Sequence, residues 1–360
     1  MKHFLKNFLK NLKNKSNISI FINLNKKISG LQVVLKEKGF LISFIKKNYF
    51  TFHLRPKLAA HTNLSSSVDK YNSDTAIIIQ GGIEDPKFIE ETVKIYDKIF
   101  PNSFIILSTW ENEDIANINN LNLKNKLKII QSQKPDKPGH SNINLQLKST
   151  SVAINYAKTL NCEFVLKTRT DCRIYKPNVL KFFKSLITQF PGRDIPERIL
   201  AGNIATCMFR IYGLTDIILF GKTELMEKYF FYEDEDEMFS KYSFSKTRII
   251  NETKITGEIL LCARYLKTIN HKLLWTMDDW WNCLNKYFCI FSCDEIDFFW
   301  KKYNWEYEKK LSRSYCLKTN RLVDFSDWLN IFNDKNYYSN YKYKETFEYV
   351  NGIIKKIKVM

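Results

Sequence analysis

Thr75-Ala-Ile-Ile-Ile-Gln-Gly-Gly82 is an unbroken run of β-branched and apolar residues that stops at two glycines. A run of that length and composition reads as a strand buried on both faces that enters a turn. From Glu84 to Ile99 the apolar period changes: Phe88, Ile89, Val93, Ile95, Tyr96 and Ile99 fall at helical spacing and stop before Pro101. The alternation then repeats. Ser103–Leu107 and Lys126–Ile130 read as further strands, Ile143 to Leu160 as a long helix, and Glu163–Lys167 as a fourth strand. Strands separated by helices imply parallel βαβ units, so the expected class is α/β with a Rossmann-type, mostly parallel sheet flanked by helices.

Outward from this block the pattern weakens. Ile199–Ile204 and Asp216–Phe220 read as short strands, and Gly221 turns into a helix that runs through Phe230. Glu233 to Glu237 are five consecutive acids, read as a solvated loop. From about residue 245 the chain, rich in Trp, Tyr and Lys, is expected to be mainly helical. Upstream, Phe4, Leu5, Phe8, Leu9 and Leu12 share one face of a helix over 2–13 whose other face carries Lys2, Lys6, Lys10 and Lys13. That is either an interfacial membrane helix or an ordinary amphipathic helix packed on the protein body. His61 to Ser67 reads as a polar connector. The expected organisation is a basic N-terminal helical arm (1–72), a catalytic core (73–265) and a mainly helical C-terminal region (266–360).

The charge is uneven. The chain carries 56 Lys and Arg against 38 Asp and Glu, a net +18, yet residues 1–57 hold thirteen Lys or Arg and one acid, Glu37. That segment therefore supplies +12 and the other 303 residues only +6. The basic excess belongs to the arm and suits anionic inner-membrane lipid, nucleic acid or a phosphorylated substrate. No RNP-like, helix-turn-helix or zinc-finger pattern supports a nucleic-acid partner. The eight cysteines form no CxxC pair, and His3, His53, His61, His140 and His271 show neither HxH nor HxxxH spacing. With no apolar run near 20 residues and no signal peptide, a cytoplasmic protein, peripheral on the inner membrane face, is expected.

In open α/β sheets ligands bind outside the carboxyl ends of the strands. Three segments should therefore line a site: Gln80-Gly81-Gly82, Ser108-Thr109-Trp110 and Thr168–Asp171. Asp171 is a carboxylate just beyond a buried strand, with Lys167, Arg169 and Arg173 around it. It suits one Mn or Mg ion, since those hard cations take one or two carboxylates together with substrate phosphates. Alternatively it simply pairs with Arg169 or Arg173. Gln80, Gly81 and Gly82 bring backbone close to a nucleotide or merely make a tight turn.

Val165-Leu-Lys-Thr-Arg-Thr-Asp-Cys-Arg-Ile174 closely resembles the signature of the WavE-type lipopolysaccharide-synthesis family, whose members are GT-A-like glycosyltransferases. Three further blocks agree in order: Phe100-Pro101-Asn102 leading into Ile106–Trp110, the polar helix entry Asn142, Asn144, Gln146, Ser149 and Thr150, and Gly213–Gly221 with its Asp216. The resemblance covers about residues 75–265. It departs at Cys172, where a polar amide is usual, at Leu145, where a basic residue is common, and at Arg169, which stands where many GT-A enzymes carry the first carboxylate of a DxD. The resemblance implies transfer of a sugar from a nucleotide-diphosphate donor to a glycan or glycolipid acceptor. It places Gln80, Gly81, Gly82, Thr109, Trp110, Gln146, Lys167, Arg169 and Arg173 around the donor, with the metal on Asp171. For the general base that an inverting reaction needs, Glu258 at a helix start is the first candidate and Asp216 the second. Each has a structural alternative, a helix-terminus carboxylate for Glu258 and an Asx turn for Asp216. Asp278-Asp279 before Trp280-Trp281 could also reach a sugar. The alternatives in function are a non-catalytic GT-A-like scaffold that binds glycan or membrane, and a basic nucleic-acid-binding protein.

Overall fold

The computed structural model describes residues 18–19, 31–36, 39–44, 49–53, 55–56, 73–123, 126–192, 197–208, 210–242, 257–301, 322–334, 346–350 and 353–357. The chain divides into two compact units, Met1–Asn63 and Leu64–Met360. In the first, Leu31–Lys36, Gly39–Phe44 and Tyr49–His53 form a three-stranded antiparallel sheet, so the segment expected as a helical arm contains β-structure. The expected helix over 2–13 lies outside the described residues.

The second unit is an α/β fold on a seven-stranded sheet. Its main strands are β1 (Thr75–Gln80), β2 (Phe104–Trp110), β3 (Leu127–Ser132), β4 (Phe164–Arg169), β6 (Ile199–Gly202), β7 (Leu219–Lys222) and β8 (Phe288–Phe291), in spatial order β8-β6-β7-β4-β1-β2-β3. Strands β1, β2, β3 and β4 pair in parallel, as do β6 and β8, and β7 runs antiparallel to both its neighbours. A short β5 (Cys172–Ile174) leaves the main sheet and pairs antiparallel with β9 (Phe298–Trp300).

The central strands are apolar because helices cover them. Ala76 to Ile79, Ile105 to Leu107, Val165 and Leu166 are all fully buried, each large aliphatic side chain contributing about 1.5–3 kcal/mol of burial free energy. The first helix, α1 (Pro86–Ile99), starts where Asp85 accepts a hydrogen bond from the Phe88 N–H, with proline in the first turn. The long helix α2 (Ile143–Thr159) packs on β1, β2, β3 and β4.

Two expectations are corrected here. The sheet does not end before residue 266: β8 joins β6 in parallel, and the C-terminal region also contributes β9 and a hairpin of Thr346–Val350 with Ile353–Ile357. It is therefore a mixture of strands and helices. The acidic run Glu233 to Glu237 is not a solvated loop. Asp234 caps a short helix, Glu235–Lys241, with a capping box. Glu233 and Glu235 are buried, the first paired with Lys241 and Arg264, the second accepting from the His140 N–H.

Candidate active site

The chain order of the sheet reverses between β1 and β4: β2 and β3 continue to one side of β1, and β4 lies on the other. Such a switch point leaves a crevice at the strands' carboxyl ends. A cavity of about 430 Å³ opens there, lined by Gln80, Gly81, Gly82, Trp110, Arg169, Thr170 and Asp171 from the strand ends. Ser141, Asn142, Leu145 and Gln146 close it from the start of α2, and Glu84, Asp85, Phe88, Asp216 and Lys301 complete it.

Backbone demands set the floor. Gly81 has φ +128°, and a Cβ there would sit 2.8 Å from the Thr170 hydroxyl oxygen, so only glycine fits without displacement. Thr170 in turn donates its hydroxyl to the Gly82 carbonyl and its N–H to the Gln80 carbonyl. Gln80 donates from its amide to Ser149, and Ser108 donates to the Ser149 carbonyl, which ties α2 to β1 and β2. Ser141 and Asn142, both in the cavity wall, hold left-handed φ values of 54° and 62°, a costly backbone state of the kind that concentrates at functional sites.

Asp171 is saturated. Arg169 grips it with two hydrogen bonds of 3.0 and 3.2 Å, the Trp300 indole N–H donates at 2.9 Å, and the Cys172 thiol donates at 3.4 Å. Burial alone would raise the Asp171 carboxyl, but the charge of Arg169 and these donors outweigh it and hold the carboxyl below its ordinary range. A carboxylate has about four lone-pair positions, and here all are addressed. A divalent cation on Asp171 would have to displace Arg169, so Asp171 in this arrangement does not fit a metal.

Asp216 is the opposite case. It precedes β7, and because β7 alone is reversed, its start lies at the carboxyl end of β4. Lys167 and Gln146 both donate to the Asp216 backbone carbonyl. The side chain is 7% exposed, lines the cavity, and has no hydrogen bond or ion pair with any described residue.

Some expected contacts fall elsewhere. Lys167 is fully buried behind Asp216, and burial pushes its ammonium down to about 8. Arg173 is also fully buried, donating to Thr92, the Phe88 carbonyl and Tyr175, and stacks on the Phe88 ring. It braces the cavity wall and cannot meet a ligand. Thr109 is buried within the sheet, while Trp110 does reach the cavity. Glu258 is in the first turn of α3 (Gly257–Thr268), whose start adjoins Ser141, but Glu258 is not in the cavity wall. Asp279 is buried in a hydrogen-bond network away from the cavity, and the Trp280 and Trp281 indoles donate to the carbonyls of Cys207 and Met208. Trp300 and Lys301 were not anticipated. They arrive through the pairing of β9 with β5, and Lys301 donates its N–H to the Asp171 carbonyl and its ammonium to Asp85.

A family model described as WavE lipopolysaccharide synthesis matches residues 75–359. No curated protein matches the sequence. Among solved structures, the crystal structure of HddC from Yersinia pseudotuberculosis is similar over 48% of this chain and 86% of that one, at 13% identity and a TM-score of 0.31.

Proposed function

The chain belongs to the WavE lipopolysaccharide synthesis family, and from that premise we propose that it is a glycosyltransferase of GT-A type that moves a sugar from a nucleotide-diphosphate donor to a growing surface glycan. The observation that carries this reading is the cavity at the β1/β4 switch point, where two cations, Arg169 and Lys301, share a wall with Asp216, whose carboxylate has no hydrogen bond or ion pair with a described residue. A strand-end crevice of this kind suits a nucleotide. In the reaction the bond between the anomeric carbon and the diphosphate oxygen breaks as the acceptor oxygen bonds to that carbon. The leaving diphosphate takes its electron pair toward Arg169 and Lys301, which stabilise the developing charge. The acceptor hydroxyl's proton passes to Asp216. Asp171 and Asp85 hold the two cations in position. Mn or Mg, if the donor brings one, would not be held by Asp171, whose oxygens are taken by Arg169, Trp300 and Cys172, and would supply further charge to the diphosphate. The basic residues 1–57 would keep the enzyme on anionic lipid at the inner membrane face.

A panel of nucleotide sugars, tested for thermal stabilisation with and without Mn²⁺, identifies the donor. With that donor, Asp216→Asn should bind normally and lose transfer by about 10²–10⁴-fold. Transfer at the wild-type rate by Asp216→Asn would overturn the role of this carboxylate, and the absence of stabilisation by any nucleotide sugar would overturn the transferase reading.

A further inference from the structure

Away from the cavity, three side chains of different chemistry converge on one point. The His271 Nε2 lies 3.0 Å from Asp279 Oδ1 and 3.3 Å from Cys283 Sγ, and the three atoms all lie within 4.8 Å of one another. Asp279 and Cys283 are four residues apart on α4 (Met277–Tyr287) and so share a helix face. His271 reaches them from the segment between α3 and α4. The side chains of His271 and Asp279 are 12% and 2% exposed, and Cys283 is fully buried.

The outer contacts orient each of these groups. His271 Nδ1 is 3.1 Å from the Tyr287 hydroxyl. The other oxygen of Asp279 accepts from the Tyr212 hydroxyl and from the Leu274 N–H. What remains is one ring nitrogen facing both a carboxylate oxygen and a thiol sulfur. If Nε2 carries a proton, that proton serves the carboxylate and leaves the sulfur facing an N–H already engaged. If Nε2 carries a lone pair, it accepts from the thiol and then opposes the lone pairs of Asp279. Neither tautomer satisfies both contacts, whereas a cation that accepts from all three does.

We infer that His271 Nε2, Asp279 Oδ1 and Cys283 Sγ form a binding site for zinc or a cation of zinc-like softness. Imidazole, thiolate and carboxylate together favour such an ion over Mg or Ca. Bonds of about 2.0–2.3 Å to a tetrahedral zinc place its ligand atoms about 3.3–3.7 Å apart. The two short separations are close to that spacing, and a shift of about 1 Å brings in the third edge. Three protein ligands leave a fourth position for water, which the partial exposure of His271 admits. The charges balance in the buried setting: the cation's two positive charges meet one carboxylate and one thiolate, and the thiol proton leaves to solvent. The same network ties into the segment that leads to Asp216. Tyr212 bonds to Asp279 and to the Trp275 N–H, and it stands four residues before Asp216. The ion would thus fasten α4 to the His271–Trp275 segment, to which Tyr212 is also bonded.

The test uses the full chain, purified without chelator, equilibrated with zinc, dialysed, and measured for metal by mass spectrometry. One zinc per chain is expected. Replacement by Co²⁺ should give a thiolate-to-cobalt charge-transfer band, lost in Cys283→Ser and weakened in His271→Gln while the circular dichroism is retained. Either variant suffices if the other does not fold. Substoichiometric zinc in the wild-type chain, or a cobalt band that persists in a folded Cys283→Ser, would overturn the site. Neither readout depends on donor, acceptor or transfer activity, so its failure is distinct from failure of the transferase reading.

Discussion

The two sides of the central sheet are built from different material. On one side β1, β2, β3 and β4 run parallel, and their middles are aliphatic side chains buried by helices. On the other, β7, β6 and β8 mix directions, and the neighbouring β5 and β9 carry Arg173 and Trp300. The parallel side supplies cohesion through its buried middles, and only its strand ends, with Gly81, Gly82, Trp110, Arg169 and Asp171, reach the cavity. The mixed side brings Asp216, Trp300 and Lys301 to the same place from distant parts of the chain. Stability and chemistry are therefore separable to a useful degree, and the separation can be attacked from both sides.

The largest effect should come from the parallel side. Ile106 is fully buried in β2, between β1 and β3. Ile106→Ala should cost about 2–5 kcal/mol of unfolding free energy, read from urea denaturation, with the transfer rate per folded molecule unchanged. A loss of transfer without a loss of stability would break the division.

A smaller effect lies at the seam, where Lys167 of β4 faces the mixed side. Its pKa is about 8 in the folded protein, lowered first by burial and opposed by Asp216, against about 10.4 when unfolded. A lowered lysine pKa means that the unfolded chain binds more protons between those values, so stability rises with pH across that window. Between pH 8 and pH 9.5 the gain should be about 1–2 kcal/mol, and Lys167→Met should flatten that slope. If the slope is the same in the variant, Lys167 is not the group that titrates.

How much of this the sequence disclosed follows the same division. Thr75–Gln80 is recovered residue for residue as β1, because a strand covered on both faces must be apolar throughout. The strand-end wall of the switch-point cavity, with Gln80, Gly81, Gly82, Trp110, Arg169 and Asp171, follows from that parallel pattern, whereas Gln146 and Asp216 follow only from the family resemblance. Lys167 and Arg173 misled because strand alternation puts them in phase with Arg169. Lys167 lies one pleat deeper, and the turn at Thr170-Asp171 sends Arg173 behind Phe88. The burial of Glu233 and Glu235 depends on partners as far away as Arg264 and His140, which no local charge pattern encodes. Trp300 and Lys301 depend on the pairing of β9 with β5, more than a hundred residues apart. The histidine-aspartate-cysteine cluster uses an interval of eight residues followed by four, outside the short metal motifs that sequence spacing reveals.

The finest test concerns one proton. The Trp300 indole donates to Asp171 while its ring lies beneath the Arg169 guanidinium, whose carbon is 5.9 Å from the ring centroid. Trp300→Phe keeps an aromatic face and removes the donor, so Asp171 is held by Arg169 and Cys172 alone. The cost should be about 1 kcal/mol in stability at pH 7. Because the folded carboxyl is depressed, the stabilisation it brings is present above its unfolded value and is lost as pH falls through the folded value. Without the indole donor the folded value rises, so that acid loss should be smaller and be complete at a higher pH in Trp300→Phe, as denaturation series from pH 7 down to pH 3 would show. Arg169 would then be less firmly placed, and transfer should fall about fivefold, the rate equivalent of about 1 kcal/mol. A collapse of transfer with unchanged acid stability would mean that Trp300 touches the substrate itself. An unchanged acid limb and an unchanged rate would mean that the mixed side positions Arg169 by other means.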